Sequence, residues 1–235
     1  MIKGIILDYG GTLDTGGDHW SYVIYDAWQK AGVAADEAEF RVCYVWAERE
    51  LARTRHILPH HDFHDLLLIK MRLELQKLAS DGNFDPAGID ATAARVAGLC
   101  YEAAKASIEK ARPTLEALSA RFPVVLVSNF YGNVETVLAD FGIDRYFRKV
   151  IESAVVGVRK PDPQIFSLGV EALGLKPEEV MVIGDSYRKD IEPALKAGCH
   201  AIWIKGRTWS QEESDTYYPA TVASLGEALA LIDAI

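Results

Sequence analysis

The stretch Gly4-Ile5-Ile6-Leu7-Asp8-Tyr9-Gly10-Gly11-Thr12-Leu13 decides how this chain is read. A short apolar run containing β-branched residues predicts a buried strand, and Gly-Gly directly after it is a loop signal. Asp8 then stands at the carboxyl end of a core strand, the edge at which open α/β sheets bind ligands. One aspartate there carries little weight. Two later apolar runs end the same way. Val124–Val127 stops at Ser128-Asn129, and Val180–Ile183 stops at Gly184-Asp185-Ser186.

Working outward, residues 15 to 111 predict helices and no strand. Trp20, Val23, Ile24, Ala27, Trp28 and Ala31 fall at i, i+3, i+4, i+7, i+8 and i+11, with Gly32 as a stop. Asp36 and Glu39 form a capping-box pattern ahead of Phe40, Cys43, Tyr44, Ala47 and Leu51. Asp62 can cap a third helix running to Leu78, and a fourth is expected from Asp90 to Lys110. Pro113 then suits the first turn of a separate helix ending near Arg121. Beyond it, strands and helices alternate. Helices are expected at 133–140, 164–173, 188–197 and 225–235, and strands at 149–151 and 201–204. That alternation implies a parallel sheet with crossover helices. The first strand needs partners, and they all lie after residue 120. The expected fold is α/β: a Rossmann-like parallel sheet flanked by helices, formed by 1–14 and 112–235, with 15–111 inserted as an all-helical unit.

The composition narrows the function. The 235 residues are 49% hydrophobic, enough for a large core. Twenty-five Lys and Arg against 34 Asp and Glu give a net charge of −9, which disfavours a nucleic-acid face. No apolar run reaches the roughly 18 residues of a membrane span, and the start shows no signal-peptide pattern. Three scattered cysteines without a CxxC read as reduced thiols of a cytosolic protein.

In a parallel sheet, Asp8, Ser128-Asn129 and Asp185 share one edge. Lys160, in Arg159-Lys160-Pro161-Asp162-Pro163, precedes a helix and has its position stiffened by proline. Carboxylates around one point suit Mg²⁺, which takes one or two of them with waters and substrate phosphate. Lys160 with Thr12 or Ser128 could hold a phosphoryl group, and the Gly10 and Gly11 amides could add donors.

These four segments, in this order, resemble the motifs of the haloacid dehalogenase superfamily, in the large subfamily with a helical (C1-type) cap. The resemblance implies Asp8 as a nucleophile that forms an aspartyl-phosphate, splitting hydrolysis into two easier steps. It implies Lys160 as the residue that neutralises nucleophile and phosphate. It places Thr12, Ser128 and Asn129 around the phosphoryl group, and Mg²⁺ on Asp8, the Gly10 carbonyl, Asp185 and Asp190. The expected activity is hydrolysis of a small phosphomonoester. Neither a nucleic-acid nor a membrane partner is expected, and oligomeric state is not legible.

Gly10 departs from the pattern. Family phosphatases carry a second aspartate there, the general acid for the leaving group, a contribution worth about 10²–10⁴-fold. Asp14, Asp18 or His19 in the adjoining flap could supply the proton. Two other family chemistries also lack that aspartate. Metal-independent 2-haloacid dehalogenases attack carbon, and phosphonate hydrolases add a cap lysine, for which Lys30, Lys70, Lys77 and Lys105 are the candidates. A weak enzyme kept as a phosphate-binding scaffold is the remaining alternative. His60 and His64, at i and i+4, have a spacing that can bind metal on one helix face, but no motif fixes a carboxylate beside them and a solvated helix entry is the favoured reading. Trp20 is the aromatic residue best placed to meet a substrate.

Overall fold

The computed structural model describes residues 1–234; the last residue of the predicted C-terminal helix, Ile235, lies outside the described residues. Six parallel strands form one sheet in the order β3-β2-β1-β4-β5-β6: β1 (Gly4–Leu7), β2 (Val124–Ser128), β3 (Lys149–Glu152), β4 (Val180–Gly184), β5 (His200–Ile204) and β6 (Thr221–Val222). β1 lies between β2 and β4, with Leu7 paired to Leu126 on one side and to Ile183 on the other. All residues of β1, β2 and β4 are buried, as expected of strands covered on both faces. Asp8, Asn129 and Asp185 follow immediately where these three strands end, at the point where the chain crosses from one side of β1 to the other.

The segment between β1 and β2 is helical: α1 (Trp20–Ala31), α2 (Glu37–Arg53), α3 (Phe63–Ser80) and α4 (Ile89–Arg121). Local signals set the first three. His19 accepts from the Ser21 amide at the start of α1, and Gly32 ends it at φ 81°. Asp36 and Glu39 close the capping box of α2, whose buried face is the expected Phe40, Cys43, Tyr44, Ala47 and Leu51. Asp62 caps α3. The expectation of a helix break before Pro113 is wrong. α4 runs through Pro113 for 33 residues, about 50 Å at 1.5 Å per residue. A mid-helix proline costs roughly 3 kcal/mol. Packing on both sides of it offsets that cost: Ala104 and Ile108 are buried before the proline, Leu115 and Leu118 after it.

Short helices cover the rest of the sheet: α5 (Val134–Asp140), α6 (Ser153–Val156), α7 (Gln164–Leu173), α8 (Glu192–Lys196), α9 (Gln211–Asp215) and α10 (Leu225–Asp233). α6, α9 and β6 lie where no element is predicted. The regular helix expected from Arg188 is instead a π turn over Tyr187–Ile191, followed by α8 with Pro193 in its first turn. That wide turn buries Asp190 and brings its Oδ2 back to the Ser186 amide at 3.0 Å. π turns concentrate at functional sites. His60 lies before α3 begins, so His60 and His64 do not share a helix face, which disfavours the metal alternative.

Candidate active site

Lys160 and three carboxylates converge at the strand edge. The Lys160 ammonium donates to Asp8 Oδ1 at 2.7 Å and to Asp190 Oδ1 at 2.6 Å. All three side chains are buried. Oxygens of Asp8, Asp185 and Asp190 come within 4.8 Å of one another. Burial, reinforced by the Asp190 and Asp8 charges, pushes the Asp185 carboxyl well above the usual carboxylate range. Burial also raises Asp190, against the opposing pull of Lys160. For Lys160, burial works against the charge, yet Asp190 and Asp8 hold it above its ordinary value.

The donor set fits a hard divalent cation. One ammonium faces three carboxylates in a desolvated place, so negative charge is left over that a cation would neutralise. The two acidic candidates on the β4 side differ in availability. Asp190 uses one oxygen on Lys160 and the other on the Ser186 amide. Asp185 accepts only from Thr12, at Oδ1, and lines the cavity. Two glycines make room. A Cβ on Gly11, at φ +98°, would overlap the Asp185 carboxylate, and one on Gly184 would overlap Asp190.

The remaining predicted residues divide. Ser128 and Asn129 line the same cavity as Asp8. Asn129 also grips the Lys160 backbone from both sides, donating to its carbonyl at 3.0 Å and accepting from its amide at 2.9 Å. Thr12 differs from expectation. It does not line the cavity; its buried hydroxyl lies 2.9 Å from Asp185 Oδ1 and 3.2 Å from Asp8 Oδ2, so it sets carboxylate positions from behind. The Gly11 amide is likewise already taken, donating to Asp14 Oδ1 at 2.7 Å, and is not a free donor for a ligand.

Gly10 lines the cavity, and a Cβ there would meet nothing within 4 Å. Of the three flap candidates for a substitute acid, only His19 lines the cavity. Burial, then the charge of Lys189, pushes its pKa down to about 3, so the ring is neutral. Asp14 is buried to the side, accepting from Gly11 and from Trp20 Nε1 at 3.0 Å, and burial pushes it up to about 8. Asp18 pairs with Arg207 at 2.7 Å on the surface.

The helical block closes the cavity, about 160 Å³, with Trp20, Ile24, Tyr44, Phe63, Leu66 and Leu67. A polar pair stands in this wall; Lys70 is one of the four cap lysines named from the sequence, but its burial and its partner Glu48 were not expected. Lys70 is buried on α3, ion-paired to Glu48 of α2, and lies 4.4 Å from the Tyr44 ring centroid. Tyr131, from the loop after β2, donates to Glu48 Oε1 at 3.1 Å, linking the helical block to the sheet edge. Burial opposes the Glu48 charge, but Lys70 and Tyr131 hold its carboxyl below the usual range. One signal was available. Leu67, Lys70, Met71, Glu74, Leu75 and Leu78 fall on one helical stripe, so two charged residues interrupt an apolar face.

Among known proteins, the chain matches the family described as haloacid dehalogenase-like hydrolase over residues 2–198. It is 39% identical over 67 residues to the phosphoserine phosphatase of Thermus thermophilus, covering 28% of this chain and 27% of that one. It is 35% identical over 95 residues to the glyceraldehyde 3-phosphate phosphatase of Methanocaldococcus jannaschii, covering 40% and 42%. The matched segments thus span less than half the length of these relatives. A crystal structure of the putative HAD-hydrolase YfnB from Bacillus subtilis, bound to magnesium, shares the fold at a TM-score of 0.60, with 15% identity over 99% of both chains. Taken with the sheet order and the four motif segments at one edge, the match over most of its length shows that this chain belongs to the haloacid dehalogenase-like hydrolase family.

Proposed function

We propose that the protein is a Mg²⁺-dependent phosphomonoester hydrolase whose nucleophile is Asp8. The observation that carries this reading is the buried group of three carboxylates around one lysine, with Asp8 at the end of the central strand. Asp8 and Asp185, with the Gly10 carbonyl, would hold Mg²⁺, which supplies positive charge to the phosphoryl oxygens. Lys160 keeps Asp8 oriented and adds a second positive charge against the phosphoryl group. Asp190 positions Lys160, and Asn129 fixes the backbone from which Lys160 extends. Ser128 offers a hydroxyl to the phosphoryl oxygens.

In the first step a carboxylate oxygen of Asp8 forms a bond to phosphorus and the ester oxygen leaves with the bond electrons, giving an aspartyl-phosphate and an alcohol. In the second, water adds to phosphorus, the acyl-phosphate bond breaks, and inorganic phosphate and Asp8 are released. No carboxylate stands at position 10 to protonate the departing oxygen. The open space there leaves that proton to solvent, so esters with good leaving groups react best.

The other family chemistries have less support. Attack on carbon without a metal leaves the surplus carboxylates uncompensated. Imine chemistry needs a neutral cap amine. Of the four candidate lysines only Lys70 lines the cavity, and although burial opposes its charge, Glu48 holds it well above its ordinary value. We further propose that residues 15–111 act as a cap over a core of 1–14 and 112–235, selecting a small phosphorylated substrate and excluding water. The three buried free cysteines support a reducing, cytosolic setting. None of the described helices is long and apolar enough to cross a membrane.

Hydrolysis of p-nitrophenyl phosphate with and without Mg²⁺, by the parent and by Asp8→Asn, tests the reading. Activity should require both the metal and Asp8. Metal-independent halide release from a 2-haloacid would replace it with the carbon-attack chemistry.

A further inference from the structure

A second cavity of about 750 Å³ opens beside the catalytic one, and Glu48, Asn129, Phe130, Tyr131 and Lys189 line both. Its walls come from residues 51–59 of the helical block and 153–159 of the sheet side. The catalytic cavity, at about 160 Å³, is the smaller of the two and shares these residues with the groove, so a substrate whose phosphoryl group sits at Asp8 can extend into it.

The charge of the groove runs against that of the chain. The protein carries −9 overall, yet Arg53, Arg55, Arg159 and Lys189 line the groove against a single carboxylate, Glu48. Glu48 is already neutralised by Lys70. Arg53 is paired with Glu50 at 2.5 Å. The side chains of Arg55, Arg159 and Lys189 make no ion pair or hydrogen bond among the described residues. Arg159 and Lys189 immediately precede Lys160 and Asp190. Each motif thus sends one charged side chain inward to the reacting centre, while the preceding one reaches the groove, Arg159 lining the groove alone and Lys189 both cavities, and Arg55 lines it from the helical block. Unpaired cations gathered from both walls favour an anion lodged between them.

We infer that this groove binds a second anionic group, a carboxylate or phosphate, carried by the substrate remote from the phosphoryl group that is transferred. This deepens the phosphohydrolase reading and rests on it for the placement of the first phosphoryl group. Arg55, Arg159 and Lys189 are then specificity-determining residues, and the preferred substrates are small bis-anions.

The test is equilibrium binding to Asp8→Asn protein, which cannot turn its ligands over. Two matched pairs of different reach serve as probes: glycerol 3-phosphate against 3-phosphoglycerate, and fructose 6-phosphate against fructose 1,6-bisphosphate. In at least one pair the bis-anion should bind tenfold or more tightly, and adding Arg55→Ala or Arg159→Gln should reduce that ratio to threefold or less. A preference in neither pair, or one that survives both substitutions, overturns the inference. Turnover of p-nitrophenyl phosphate by the parent reads the hydrolase assignment separately. A protein that fails there but shows the charge-dependent preference loses the hydrolase reading and keeps the anion groove.

Discussion

Glu74 provides a quantitative test of the packing described for the helical block. It lies on α3, fully buried, with no hydrogen-bond partner on either carboxylate oxygen. Burial raises its pKa from 4.5 to about 8, with Lys70 only partly opposing. In the unfolded chain the group ionises near 4.5; in the folded protein it stays protonated. The unfolded state therefore binds fewer protons between these two values, and stability falls as pH rises through that window. The stabilising share is complete below about pH 4.5 and is lost by the time pH passes about 8. Glu74→Gln keeps the shape and removes the titration. At about pH 7.5 the difference spans about three pKa units, or about 4 kcal/mol at 1.36 kcal/mol per unit. Urea unfolding of parent and variant across pH 5 to 8 reads it directly. The variant should match the parent near pH 5 and become more stable by several kcal/mol near neutrality. Parallel stability curves would refute the reasoning, because they would mean Glu74 is solvated or paired in the folded protein.

Other substitutions probe the site. A Cβ at Gly10 meets nothing within 4 Å, so Gly10→Asp has room at its Cβ, and it should raise kcat by about 10²–10⁴ for alkyl phosphates while changing p-nitrophenyl phosphate turnover far less; equal gains on both would contradict a missing acid. Gly11→Ala adds about 1–3 kcal/mol of backbone strain at φ +98° and pushes on Asp185. It should weaken Mg²⁺ binding as well as stability, and calorimetric titration showing unchanged metal affinity would count against Asp185 as a ligand. Tyr131→Phe removes the hydroxyl bonded to Glu48 and should destabilise by about 1 kcal/mol. A double-mutant cycle with Glu48→Gln should show coupling of at least about 0.5 kcal/mol, and strict additivity would show that the link is absent in solution.

The fold is legible where local signals and burial agree. The β1 run, the Asp36–Glu39 capping box and the Gln164–Leu173 helix each stand where their residues predict. The meeting of Asp8, Ser128 and Asp185 at one edge follows from strand ends in a parallel sheet, a topological rule that needs no side-chain detail, and Lys160 joins them from the loop before α7. What was not legible depends on contacts distant in sequence. Pro113 signals a helix start locally, and only the buried residues on both sides of it keep α4 continuous. The π turn at Tyr187–Ile191 follows from burying Asp190 beneath Ser186, which periodicity does not encode. Thr12 and the Gly11 amide were expected to face a ligand, but Asp8, Asp185 and Asp14 claim their hydrogen bonds first. The burial of Lys70 and Glu74 was hidden because an amphipathic reading sends charged residues to solvent.

The central claim is that phosphorus is transferred to Asp8. Acid quenching during turnover of phosphate-labelled p-nitrophenyl phosphate with Mg²⁺, followed by peptide mapping, measures it directly. The account predicts hydroxylamine-labile label on the peptide containing Asp8, and none on Asp8→Asn protein. Label on another residue, or parental turnover by Asp8→Asn, would contradict it.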